Sequence, residues 1–201
     1  SVIVEGPLNF DVFKKIILDN KIHIIPNFAE DFLFLSLEQI EKKFENLATI
    51  KILYLSNLLP GKGYDELADA FILLSTEDRK KFQLNFVGGF ETESAESEFL
   101  KKIKQYPEIQ YLGNFIDGQE KKKLFAKSHI FCLPTYYSFE GQPISILEAY
   151  ATGCAVITTD HSGIPFIFND KENGYLVEKR SIESLVYVFE RILKDKDSLH
   201  K

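Results

Sequence analysis

The groups in this chain best placed to do chemistry are two carboxylates in the run Glu140-Gly141-Gln142-Pro143-Ile144-Ser145-Ile146-Leu147-Glu148. Pro143 suits the first position of a helix, where its missing N–H has no partner to lose and its fixed φ is already helical. The residues that follow, through Thr152, contain no breaker, and Gly153 supplies a stop. Glu140 is therefore expected in a loop just ahead of a helix N-terminus, and Glu148 about 1.5 turns inside that helix. Between them the unpaired N–H groups of the first turn form an anion site, and Gly141 lets a ligand approach the backbone closely. Two carboxylates flanking an anion pocket suit a ligand hydroxylated at both ends and phosphorylated in the middle, which is the form of a nucleotide-sugar. A glutamate near a helix start also has a purely local explanation, attraction to the helix dipole, so the pair gains its weight from its surroundings.

Those surroundings alternate. From residue 51 onward strand-like runs at 51–56, 82–87, 109–112, 130–133, 155–159 and 175–177 are separated by helical patterns at 65–74, 95–105 and 117–127, by the helix after Pro143, and by a short piece at 166–168. A helix over 181–194 follows the last strand. Strands alternating with helices of about ten residues imply βαβ units, a parallel sheet and right-handed crossovers. In such a sheet ligands bind beyond the carboxyl ends of the strands, at a switch point. The Lys62 loop, the Gly88-Gly89 turn, the Gly113-Asn114-Phe115 segment and the Glu140 loop all follow strands, so all are expected on one rim. The first 50 residues are less regular, with amphipathic helices over 9–19 and 37–46 and a short strand over 22–25. The acidic stretch 94–98 reads as an exposed loop or a helix start.

Composition narrows the classes. With 201 residues, 45% of them hydrophobic, the chain can bury the core of one ordinary domain. No apolar run reaches the roughly 18 residues of a membrane helix, and no signal peptide opens the sequence. A formal charge of −6 argues against a nucleic-acid partner, which needs a basic face. Cys132 and Cys154 lie in apolar runs and read as small buried hydrophobes in a reducing cytoplasmic setting. His23, His129, His161 and His200 are scattered and form no metal set. The chain begins at Ser1 and contains no methionine, so it is expected to be a piece of a longer protein.

The Glu140-x7-Glu148 pair, followed by Ala149-Tyr150-Ala151-Thr152-Gly153-Cys154-Ala155-Val156-Ile157-Thr158-Thr159 and Gly163-Ile164-Pro165, resembles glycosyltransferase family 4, retaining enzymes of the GT-B fold. The similarity is to their C-terminal, donor-binding domain, of the glycosyl transferases group 1 type, and it runs in order along most of the chain. Ile24-Ile25-Pro26-Asn27 resembles the segment between the family's two domains. Ile52-Leu53-Tyr54-Leu55-Ser56-Asn57-Leu58 with Lys62-Gly63 resembles its first strand and lysine-bearing loop. Phe86-Val87-Gly88-Gly89, Tyr111-Leu112-Gly113-Asn114-Phe115, Ile130-Phe131-Cys132-Leu133-Pro134-Thr135 and Asn173-Gly174-Tyr175-Leu176-Val177 match later landmarks.

The resemblance implies roles. Lys62 would contact the donor diphosphate, a task suited to a compact point charge; the loop is not a Walker A motif, which needs an upstream glycine and a Ser or Thr after the lysine. Glu148 would hold the ribose hydroxyls, Glu140 would face the donor sugar as the catalytic residue, and the backbone of Gly141, Gln142 and Ile144 would meet the phosphates. Gly89, Asn114 and Phe115 are weaker nucleotide contacts. Two departures stand out. Ser56-Asn57-Leu58 replaces a Gly-Arg-Leu run that usually adds a second cation, and Phe166 stands where a glutamate commonly follows the proline. The lysine-rich runs 101–104 and 121–123 read as solvated helix faces.

The expectation is thus a Rossmann-like three-layer α/β/α sandwich with a mainly parallel sheet, the C-terminal half of a GT-B fold. Residues 1–50 would be interdomain linker and lead-in, partly helical, and residues 51–201 the nucleotide-sugar-binding domain. The whole enzyme would be a hexosyltransferase using a nucleotide diphosphate-sugar, with no metal or other cofactor. Its acceptor would be a glycan or lipid-linked, as in surface polysaccharide synthesis, and its place cytoplasmic, or peripheral at the inner face of the membrane. The N-terminal acceptor domain would be a missing partner, leaving this fragment inactive alone. An epimerase of the same architecture and a non-catalytic nucleotide-sugar-binding module are the alternatives; the glutamate pair favours the transferase.

Overall fold

Two short β-branched runs open the chain. Val2–Val4 (β1) and Ile22–Ile24 (β2) pair in parallel as a small separate sheet, with helix α1 (Pro7–Phe13) and a 3-10 turn at Asp19–Lys21 between them. The computed structural model describes residues 1–114 and 116–199. Helix α1 begins two residues earlier than the 9–19 pattern suggests, because Pro7 sits in its first turn. It also ends six residues earlier, before the β-branched Ile16 and Ile17, which have weaker helical preference. Helix α2 (Leu37–Phe44) is started by a capping box in which Ser36 and Gln39 satisfy each other's backbone N–H.

The main sheet contains β3 (Ile50–Leu55), β4 (Phe82–Val87), β5 (Ile109–Tyr111), β6 (Ile130–Leu133), β7 (Ala155–Thr159) and β8 (Gly174–Val177). Its order is β5-β4-β3-β6-β7-β8, with every neighbouring pair parallel. Strand β6 is buried along its whole length, as an apolar run in a sheet covered on both faces must be. The helices are α3 (Tyr64–Leu73), α4 (Thr76–Arg79), α5 (Glu93–Ile103), α6 (Gly118–Lys127), α7 (Ile144–Ala151) and α8 (Ile182–Lys194). Helix α8 returns across the sheet to pack on α3, where Phe71, Phe82 and Phe189 meet with ring centroids 5.6 to 6.0 Å apart. The Rossmann-like α/β architecture expected from the alternation is the one found.

Crossovers carry the chain outward from β3 through β4 to β5, then back over the sheet to β6 and outward the other way. The switch point therefore lies between β3 and β6, the strands that lead into the Lys62 and Glu140 loops. The acidic stretch 94–98 is the start of α5, capped by Thr92, and its carboxylates favour that end of the dipole. Pro143, expected as the first helical residue, is instead the N-cap of α7, with an extended ψ of 115°, so the helix starts one residue later, at Ile144.

Candidate functional site

The loops after β3 and β6 are joined by backbone bonds before any side chain takes part. The N–H of Tyr136 donates to the carbonyl of Gly61 at 2.7 Å, and Thr135 Oγ1 reaches the same oxygen at 3.4 Å. Gly63 makes the close approach possible: it has φ +78°, and a Cβ there would lie 2.3 Å from the carbonyl oxygen of Pro134. This pinch turns Lys62 across the switch point toward the Glu140 loop.

Lys62 Nζ lies 3.1 and 3.0 Å from the two carboxylate oxygens of Glu140 and 4.9 Å from the centroid of the Tyr137 ring. Thr135 Oγ1 donates to Glu140 Oε2 at 2.8 Å. The side chains of Lys62 and Glu140 are 14% and 7% exposed, so the pair is well shielded from water. The loop after β7 supports it from behind: Ser162 Oγ donates to the Glu140 carbonyl, the Gly163 N–H donates to the Gly141 carbonyl at 3.1 Å, and His161 Nε2 lies 2.8 Å from the Tyr137 carbonyl. Ser162, itself in the left-handed region at φ +52°, thus fixes the backbone of Glu140.

Lys62, Glu140, Gly141, Gln142 and Ile144 share the lining of one cavity of about 350 Å³ at the N-terminus of α7. Glu148 lies further along α7 on a buried stretch, and Lys121 Nζ of α6 reaches its Oε1 at 2.5 Å. The expected solvated face of lysines 121–123 holds for the exposed Lys123 and is corrected for Lys121 and Lys122. Lys121 is held by Glu148, and Lys122 donates to the carbonyl of Phe32, because α6 packs beside α2 and α7 instead of facing water along that edge. Lys102, in the other lysine run, bridges Asp65 and Asp69 of α3 at 2.6 and 2.9 Å.

Gly89 and Asn114 lie on the same rim, where the loops after β4 and β5 are tied by the Gly88 N–H donating to the Gly113 carbonyl at 3.0 Å. Neither lines the cavity at α7. Phe115 is outside the described residues. Ser56, the first residue of the run that replaces Gly-Arg-Leu, lines that cavity, whereas Asn57, at the arginine's place, does not. Phe166 is 56% exposed in a 3-10 turn at Ile164–Phe166.

Two further residues of the site come from the start of the chain. Glu5 and Asn27 both line the cavity. Asn27 clasps Gln142 twice, its N–H donating to Oε1 at 2.9 Å and its Nδ2 to the Gln142 carbonyl at 2.8 Å. More than a hundred residues of sequence separate these partners, so no local pattern announces them.

The family's sequence model supplies the remaining context. The description "Glycosyl transferases group 1" matches residues 36–201. An uncharacterized glycosyltransferase of Haemophilus influenzae is 30% identical over 148 residues, covering 73% of this chain and 40% of that protein. The UDP-Gal:alpha-D-GlcNAc-diphosphoundecaprenol alpha-1,3-galactosyltransferase of Escherichia coli is 33% identical over 69 residues, 34% of this chain and 17% of that protein. Among solved structures, Anabaena Alr3699/HepE in complex with UDP-glucose has the same fold at a TM-score of 0.78 and 18% identity, covering 99% of this chain and 55% of that one. The chain spans less than two thirds of the length of each. It belongs to the glycosyl transferases group 1 family.

Proposed function

We propose from that membership that the chain is the donor-binding domain of a retaining glycosyltransferase. The whole enzyme would move a hexose-type sugar from a nucleoside diphosphate donor onto a glycan or lipid-linked acceptor. The observation that supports this most is the Lys62–Glu140 pair at the switch point, opening with the α7 N-terminus into one cavity. A diphosphate laid there meets a cation and the dipole of α7 together. Glu148 binds the ribose diol through its two carboxylate oxygens. Glu140 faces the sugar, where its negative charge favours oxocarbenium character developing at the reacting carbon. Gly141, Gln142 and Ile144 offer backbone to the phosphates, and Gly89 and Asn114 lie toward the nucleotide end of the rim.

The UDP-glucose bound by the Anabaena neighbour and the UDP-galactose donor in the Escherichia coli relative's name support a nucleotide-sugar here. That relative's diphosphoundecaprenol acceptor supports a lipid-linked acceptor and a place at the inner face of a membrane. Among the described residues no helix is long and apolar enough to cross one. Residues 1–50 then serve as interdomain linker and lead-in, and residues 51–201 as the donor domain, with the acceptor side on the other half of the enzyme. A thermal-shift panel of UDP, GDP, ADP and TDP sugars tests the reading, since a ligand that binds the native state raises the midpoint by mass action. One base is expected to stand out, with no sugar transfer by the isolated chain. No shift with any of them, or robust turnover by these 201 residues alone, would count against it.

A further inference from the structure

The backbone at Gly141 and Gln142, assigned above to the donor's phosphates, already carries a carboxylate of this chain. Glu5 Oε1 accepts the Gln142 N–H at 3.3 Å and is steadied by Asn9 Nδ2 at 3.1 Å. It lies so close to Gly141 that a Cβ built there would be 1.6 Å from that oxygen. The side chain is half-buried and lines the same cavity as Lys62 and Glu140. Its position is set from both sides. The Ile25 N–H donates to the Val4 carbonyl at 2.9 Å, and two residues on Asn27 clasps Gln142. The absence of a side chain at Gly141, which made close approach by a ligand attractive in the sequence, is used here by Glu5.

We propose that Glu5 is a residue of the donor site that sets its affinity, because its carboxylate holds the Gln142 amide that a donor phosphate must take. The inference rests on the donor-site reading above. A carboxylate and a phosphate cannot share one N–H without like-charge repulsion, so binding requires Glu5 to withdraw. The N-terminal segment 1–27 thereby becomes part of donor selection: a ligand that cannot offset the departure of Glu5 is rejected.

The experiment is calorimetry of UDP, GDP and ADP with the wild-type chain, Glu5→Gln, Glu5→Ala and Asn9→Ala, with folding checked by circular dichroism. Glu5→Gln and Glu5→Ala are expected to tighten the preferred nucleotide by about three- to tenfold at low salt. Raising the salt should shrink that gain, since screening already weakens the repulsion in the wild type. Asn9→Ala keeps the charge and removes only the tether, so it tightens binding by a smaller factor and serves if the Glu5 variants fold poorly. Unchanged or weaker affinity in the folded variants overturns the role of Glu5. Lys62→Ala tells the two failures apart. If it weakens wild-type binding while the Glu5 variants gain nothing, the donor site stands and the inference falls. If wild-type binding ignores Lys62, or no nucleotide binds any variant, the donor-site reading falls and the inference with it.

Discussion

Replacing either member of the Lys121–Glu148 pair should separate stability from binding. Their atoms are 2.5 Å apart, with side chains 17% and 7% exposed. Lys121→Met leaves a shielded carboxylate without its cation. A fully buried pair broken in this way costs about 3–5 kcal/mol; water reaches Lys121, so about 1–3 kcal/mol is expected here. For a chain of this size that corresponds to a fall in midpoint of roughly 3–10 °C. Glu148→Gln keeps an acceptor for Lys121, so its fold should lose less than about 1 kcal/mol. Nucleotide binding should order the variants the other way. Glu148→Gln gives up charge-assisted bonds to the ribose diol, about 1–3 kcal/mol or roughly 5- to 150-fold in Kd. Lys121→Met removes a competitor for the same carboxylate and should bind UDP at least as tightly as the wild type. Thermal unfolding and calorimetry on one preparation measure both orders. If Lys121→Met loses as much UDP affinity as Glu148→Gln, the lysine is itself a nucleotide contact and this assignment of Glu148 is wrong.

Two other outcomes follow from the same geometry. Glu140→Gln should leave the affinity for plain UDP within about threefold of wild type while removing the extra affinity that the sugar confers, and in the full-length enzyme it should lower kcat; calorimetry with UDP and UDP-glucose would contradict this division if both affinities fell equally. His129 is buried, its Nδ1 accepting the Lys51 N–H at 2.9 Å and its Nε2 3.1 Å from the Lys43 carbonyl, and burial brings its pKa down from 6.5 to about 4. Between those values the unfolded chain binds a proton that the native state refuses, so stability rises with pH across that window and falls by about 2 kcal/mol from pH 7 to pH 5. Urea midpoints for the wild type and His129→Gln measure the difference, and an equal pH slope in both would refute the assignment.

The sequence made most of the sheet legible because its strands are rich in apolar residues and several are bounded by glycine or proline. Strand β6 is only four residues long, yet Ile130-Phe131-Cys132-Leu133 could not be anything but buried. Strand β1 escaped because three residues carry no periodicity. Helix α4, also missed, is a single turn started by Ser75, whose hydroxyl accepts the Asp78 N–H. In the site, Lys62 and the α7 loop were readable because each belongs to a local pattern with a chemical reason. Thr135, Ser162, Glu5 and Lys121 act through partners distant in sequence or on another element, and their residue types are ordinary for a strand end, a loop or a helix face. Lys121 was hidden by its neighbours: three lysines in a row look like a solvated surface until packing aims one of them at a buried carboxylate.

That hidden pairing bears on how a donor would bind. In this structure Lys62 is engaged by Glu140, Lys121 by Glu148, and the Gln142 amide by Glu5. On the proposed assignment these groups, which a nucleotide-sugar would need, already have partners from the chain, so binding them is an exchange of partners. The low exposure of Glu140 and Glu148 fits this, because a shielded carboxylate without a cation would be costly to hold in place. Exchange also limits affinity, since each new contact is offset by one given up, and a count of donor contacts will overstate the binding energy. What the exchange supplies is geometry. Lys62, Thr135 and Lys121 hold the carboxylates in place, so on the proposed assignment, where donor hydroxyls would meet them, little ordering would remain when a donor displaced the lysines.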